Sequence, residues 1–158
     1  MIHVIAFAAA FSACLAYCLI AGGRPERWAI CAQLIAFLLS LFAISFRWNS
    51  FVGLPIGLSL IDITLAAALS AIALRANRLW PIVLAGMQVA TVFAHVAKLL
   101  TFPLPTAGYA IFVQFWAWPM LVVTALGTRN HHLRKRRYGQ ERDWKPLWPP
   151  SVQARSTV

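Results

Sequence analysis

Residues 54–100, LPIGLSLIDITLAAALSAIALRANRLWPIVLAGMQVATVFAHVAKLL, decide the fold. They hold two apolar runs, 54–76 and 79–100, parted only by the polar hinge around Asn77 and Arg78. Each run has about the 20 residues that a helix needs to cross a 30 Å hydrocarbon core. A hinge that short makes the two helices antiparallel neighbours. Working outward, three more apolar runs lie at about 2–22, 28–46 and 109–127. The intervening links are Gly23-Arg24-Pro25-Glu26-Arg27, Arg47-Trp48-Asn49-Ser50 and Thr101-Phe102-Pro103-Leu104-Pro105. The reading is an all-α polytopic membrane helical bundle: five transmembrane helices in residues 1–128, then a basic tail, 129–158.

Composition agrees. Of 158 residues, 61% are apolar and 11% charged, whereas soluble domains carry about 25% charge. Water is therefore not the main solvent. The net charge is +10, and eight of the fourteen basic residues follow Thr128. That cluster begins where an apolar segment stops, which is a topology signal rather than a nucleic-acid surface. Nucleic acid is not expected as a partner. Cys14, Cys18 and Cys31 all fall in apolar stretches and have no metal-site spacing.

Charge also orients the spans. With five of them and the amino terminus outside, Arg24, Arg27, Arg75, Arg78 and the tail face the cytoplasm. Only Arg47 and Lys98 remain outside, so positive charge alternates loop by loop as the positive-inside rule requires. Four spans, the alternative count, would leave Arg75 and Arg78 or the tail on the wrong side. A bacterial inner membrane with a cytoplasmic tail is the expected location. Trp28 and Trp80 open spans at the inner interface. Pro55 and Pro81 sit in first helical turns, and Pro119, placed mid-span, predicts a kink in the fifth helix.

Two faces consist of small residues at steps of four: Ala6, Ala10, Cys14, Cys18 and Gly22 on the first helix, and Gly86, Ala90 and Ala94 on the fourth. Such stripes let helix backbones approach closely, within the bundle or against another membrane protein. The fourth helix has a polar face as well, carrying Gln88, Thr91, His95 and Lys98. Asp62 is the one carboxylate within a span. By the hairpin's geometry, positions summing to roughly 154 lie level at 1.5 Å per residue, so Asp62 is level with Val92, near Thr91 and His95 in the outer half of the membrane. Gln114 on the fifth helix reaches a similar depth. Intramembrane ionisable groups cost about 2.5–3.5 kcal/mol each on insertion scales and mark functional sites by default. A register-fixing Asp62–His95 or Asp62–Lys98 pair is the structural alternative.

The tail has two parts. Arg134, Lys135, Arg136 and Arg137 belong to a juxtamembrane polybasic run that attracts anionic lipid headgroups. Trp144 and Trp148, set among prolines, are too apolar for a free solvated tail and are candidates for lipid or partner contact. The sequence contains no Ser-His-Asp set, H-E-x-x-H motif or phosphate loop, so an enzyme is not expected. No cofactor is expected either; quinone and haem are the two alternatives for the polar face. Two functions remain. The first is a non-catalytic accessory or scaffold subunit of a larger respiratory, photosynthetic or transport complex. The second is a small redox or proton-linked carrier working through Asp62 and His95.

Overall fold

The computed structural model describes residues 2–45, 50–51, 54–100, 115–139 and 143–144. Five helices carry the fold: α1 (Ile2–Ala21), α2 (Arg24–Ser45), α3 (Ile56–Arg75), α4 (Trp80–Leu100) and α5 (Ala117–Tyr138). A two-residue antiparallel pair, β1 (Ser50–Phe51) with β2 (Leu54–Pro55), closes the turn before α3. Three helices are long and apolar enough to cross a membrane, over Arg24–Ile44, Ile56–Arg75 and Trp80–Lys98; α1 has a shorter apolar stretch, Ile5–Ala21. Only 28%, 22% and 33% of the three long stretches is inside the bundle. Surfaces this apolar and this exposed are suited to lipid, and Leu39, Phe42, Leu60 and Phe93 lie on them.

Each helix packs on its neighbour in sequence and α5 returns to α1, so the five form a closed ring, with α2 and α5 also touching across it. Small side chains make the close contacts. One core cluster contains Ala29, Leu65, Leu69, Ala73, Leu84, Ala85 and Met120, and the other contains Phe11, Cys14, Cys18, Ile30 and Leu121.

Several boundaries differ from the sequence expectation. The stretch 23–27, read as a loop, supplies the first turn of α2. Glu26, at the third helical position, reaches back so that its Oε2 accepts the Gly23 N–H at 3.1 Å, and Pro25 sits where a missing N–H costs nothing. The fifth helix does not end near residue 127. It continues through the basic run to Tyr138 because Arg, Lys, Leu and His tolerate a helix and no breaker intervenes. Gly139, at φ +77°, stops it, donating its N–H to the Lys135 carbonyl. Pro119, the position of the predicted kink, lies in the first turn of α5, which starts at Ala117, and there its missing N–H has no intrahelical acceptor to lose. Residues 109–114 of the expected fifth span lie outside the described residues.

Candidate functional site

The polar face of α4 turns toward α3. Asp62 is the centre of the contact: Gln88 Nε2 donates to Asp62 Oδ1 at 2.8 Å and to the Asp62 carbonyl at 3.3 Å, and His95 Nε2 meets Asp62 Oδ2 at 2.7 Å. The other imidazole nitrogen, Nδ1, pairs with Ser59 Oγ at 3.2 Å. Gln88, Thr91 and His95 are each only 3% exposed, while the Asp62 side chain retains 21%. Thr91 donates back to the Met87 carbonyl. Lys98 is half-buried one turn beyond His95. Gln114 lies outside the described residues.

The partially exposed Asp62 carboxylate lines a cavity of about 140 Å³ to which every helix contributes. Phe7 and Phe11 come from α1, Gln33, Phe37 and Ser40 from α2, Gln88 and Thr91 from α4, and Met120 from α5, which Trp116 precedes. The three phenyl rings are mutually packed, with Phe11 stacked on Phe37 at 5.6 Å and Phe7 5.7 Å from Phe37. The cavity thus has an aromatic wall from α1 and α2 and an acidic, amide-rich wall from α3 and α4.

Below it, hydroxyls and thiols cross-link the helices. Gln33 Nε2 donates to Thr124 Oγ1 at 3.1 Å, and Cys18 Sγ lies 3.1 Å from Thr128 Oγ1. The α1 stripe divides accordingly: Cys14, Cys18 and Gly22 are buried, Ala10 is half-buried and Ala6 is exposed. The stripe on α4 differs. Gly86 is exposed, with space for a Cβ that would meet nothing within 4 Å, and Ala90 and Ala94 are half-buried.

A second polar cluster, at the opposite end of the α3–α4 hairpin, was not anticipated. Arg78 is 5% exposed and Glu26 is fully buried. Arg78 Nη1 pairs with Glu26 Oε1, to which Trp80 Nε1 also donates at 3.1 Å. Arg78 Nη2 donates to Asp143 Oδ1 at 2.7 Å and to His131 Nδ1 at 2.8 Å. A guanidinium only donates, so His131 accepts on Nδ1 and carries its proton on Nε2. Asp143 Oδ2 caps α2 by accepting the Arg24 N–H at 3.2 Å, and the Asp143 carbonyl accepts the Asn77 N–H at 3.3 Å. Trp144, read as a lipid or partner residue, is half-buried and forms a backbone bridge with Ala76 of its own chain. Lys135, Arg136 and Arg137 are exposed in the last turn of α5, with Arg134 half-buried beside them. Trp148 lies outside the described residues.

Signals for part of this were present in the sequence. Ser59 and His95 are level by the same hairpin count that places Asp62, and Ser59 precedes Asp62 by one helical turn. Glu26 three residues after Gly23 is a capping-box spacing. Nothing in the sequence ties Asp143 to Arg78. Among the described residues no group of three or more His, Cys, Asp or Glu side chains is arranged to hold a metal ion. No protein-family model matches this chain, and no curated protein or solved structure matches it.

Proposed function

We propose that this is a small proton-linked membrane carrier with five spans, an outside amino terminus and a cytoplasmic carboxyl end, working in a bacterial inner membrane. The observation that carries the reading is a carboxylate–imidazole pair at the edge of a cavity to which all five helices contribute. Ser59 makes the pair suited to proton exchange. When His95 is charged, both ring nitrogens donate, to Asp62 and to the Ser59 oxygen. When it is neutral, Nε2–H still donates to Asp62 while Nδ1 accepts the Ser59 O–H. Neither state orphans a polar group, so the proton can come and go without the cost of a broken network.

The test is proton flux into proteoliposomes with an entrapped pH dye, against external panels of small cations, anions and neutral quinols. At least one class should drive flux in the wild type, and Asp62→Asn and His95→Gln should abolish it while remaining folded. Folded wild-type protein that moves protons with none of them sinks the reading. Reporter fusions in the 47–50 and 101–105 loops and after Gly139 test the topology, and a cytoplasmic signal from either loop contradicts it.

A non-catalytic accessory or scaffold subunit is the second reading, favoured by the open Gly86 face of α4. An exposed glycine flanked four and eight residues on by alanines is a surface on which a foreign helix can seat. Anionic lipid contact by Arg134, Lys135, Arg136 and Arg137 belongs with either reading. Purification in mild detergent separates the two: a subunit brings partners that Gly86→Leu releases, and elution always alone at monomer size removes this reading.

A further inference from the structure

We propose that the occupant of the central cavity is a small monovalent organic cation, of the alkylammonium class, that binds Asp62 against the aromatic wall in exchange for one proton from His95. This rests on the proton-linked reading above and names its substrate class.

Three observations converge on the class. The first is charge. Asp62 is the one ionisable side chain among the described residues lining the cavity, so the field inside is set by a carboxylate. The second is hydrogen-bond polarity. The amide nitrogen of Gln88 is spent on Asp62, that of Gln33 on Thr124, and the Thr91 hydroxyl on the Met87 carbonyl. These three donors are already turned to acceptors within the protein, and the Asp62 carboxylate is the charged acceptor they leave in the wall, which favours a cation or a donor over an anion. The third is the opposite wall, where Phe7, Phe11, Phe37 and Trp116 offer aromatic surface of the kind that recognises quaternary and alkylated ammonium groups. Size sets the upper limit: about 140 Å³ is close to the roughly 150 Å³ that accommodates one benzene ring. A bare alkali ion would trade its water shell for a lining that is largely apolar and aromatic.

Charge balance supplies the proton step. With His95 protonated, the empty site holds a neutral His95–Asp62 pair. An arriving cation takes over the neutralisation of Asp62, and a charged imidazole beside it becomes a repulsive third charge in a medium of low dielectric. His95 then gives up its Nδ1 proton to water and keeps Nε2–H on Asp62, so one charge enters and one leaves. Among the described residues, the titratable group in contact with His95 is Asp62 on α3, and Lys98 follows one turn on along α4. Ser59, Gln88 and Thr91 are the neutral polar neighbours.

Isothermal titration of the purified full-length protein in nanodiscs tests this, with tetramethylammonium as probe and paired buffers of different ionisation enthalpy to count protons. Saturable binding is expected, with proton release rising toward one per cation on the acid side and falling to zero on the alkaline side. Tert-butanol, of similar shape and no charge, and sodium should give no saturable heat. Phe37→Leu should weaken binding about tenfold, the loss of one desolvated cation–π contact. His95→Gln should bind without releasing protons. Equal binding of tert-butanol or sodium, or an unchanged affinity in Phe37→Leu, overturns the substrate class. Tetramethylammonium bound by the wild type with no proton released at any pH overturns the proton-linked reading and leaves the cation site standing.

Discussion

Replacing Arg78 by Met tests whether the polar cluster at the turn of the α3–α4 hairpin is a single energetic unit. The guanidinium is almost fully buried and serves Glu26, Asp143 and His131 together. Methionine fills much of its volume but leaves Glu26, itself without solvent access, with only the neutral Gly23 and Trp80 donors. An uncompensated buried carboxylate of this kind costs about 3–5 kcal/mol. Glu26→Gln removes one of the arginine's two carboxylate partners and leaves it Asp143, so it is expected to cost less than Arg78→Met. The double variant removes both charges and should cost markedly less than the sum, with a coupling of about 2–3 kcal/mol. Denaturant-resolved unfolding of each variant in a fixed mild detergent, followed by tryptophan fluorescence, gives the cycle. Single-variant losses below about 1 kcal/mol, or simple additivity, would refute a buried, mutually dependent pair.

Other outcomes follow from close approaches and open spaces. Gly127→Ala puts a Cβ within 2.6–2.9 Å of the Trp80 ring; the displaced indole loses its bond to Glu26, and a destabilisation of about 1–3 kcal/mol is expected in the same unfolding assay. Gly86→Leu, facing open space, should change stability by less than about 0.5 kcal/mol. Ser59→Ala removes the hydroxyl that meets His95 Nδ1 and should cost about 0.5–1.5 kcal/mol in the same assay. Gly23→Ala drives a Cβ against Asp143, His131 and Glu26, so limited proteolysis should cut between Tyr138 and Trp144 faster than in the wild type.

Helix positions were legible wherever hydropathy and punctuation agreed, as at the Asn77 hinge, because lipid forces each crossing segment to satisfy its own backbone. Antiparallel counting placed Asp62 level with Val92 and so near Thr91 and His95, since the short hinge leaves little freedom of register; the rotation that turns Gln88 and His95 onto Asp62 was not in the count. The Arg78 cluster was hidden for another reason. Glu26 and Arg78 lie in links where charges are ordinarily solvated, and their burial depends on α5 running on to His131 and on Asp143 arriving from beyond it. Helix propensity in the basic run was outweighed in the reading by its value as a topology signal. The cavity was not legible at all, because it depends on how five helices are rotated about their own axes.

The carboxylate that caps α2 sits 119 residues later in the chain, which fixes an order of events during synthesis. Until residue 143 has left the ribosome, the start of α2 lacks this acceptor and Arg78 lacks one of its two carboxylate partners. A stretch made long after α1 and α2 is thus what completes their hairpin. A chain cut short before Asp143 would leave α2 without this cap and Arg78 with Glu26 as its carboxylate partner.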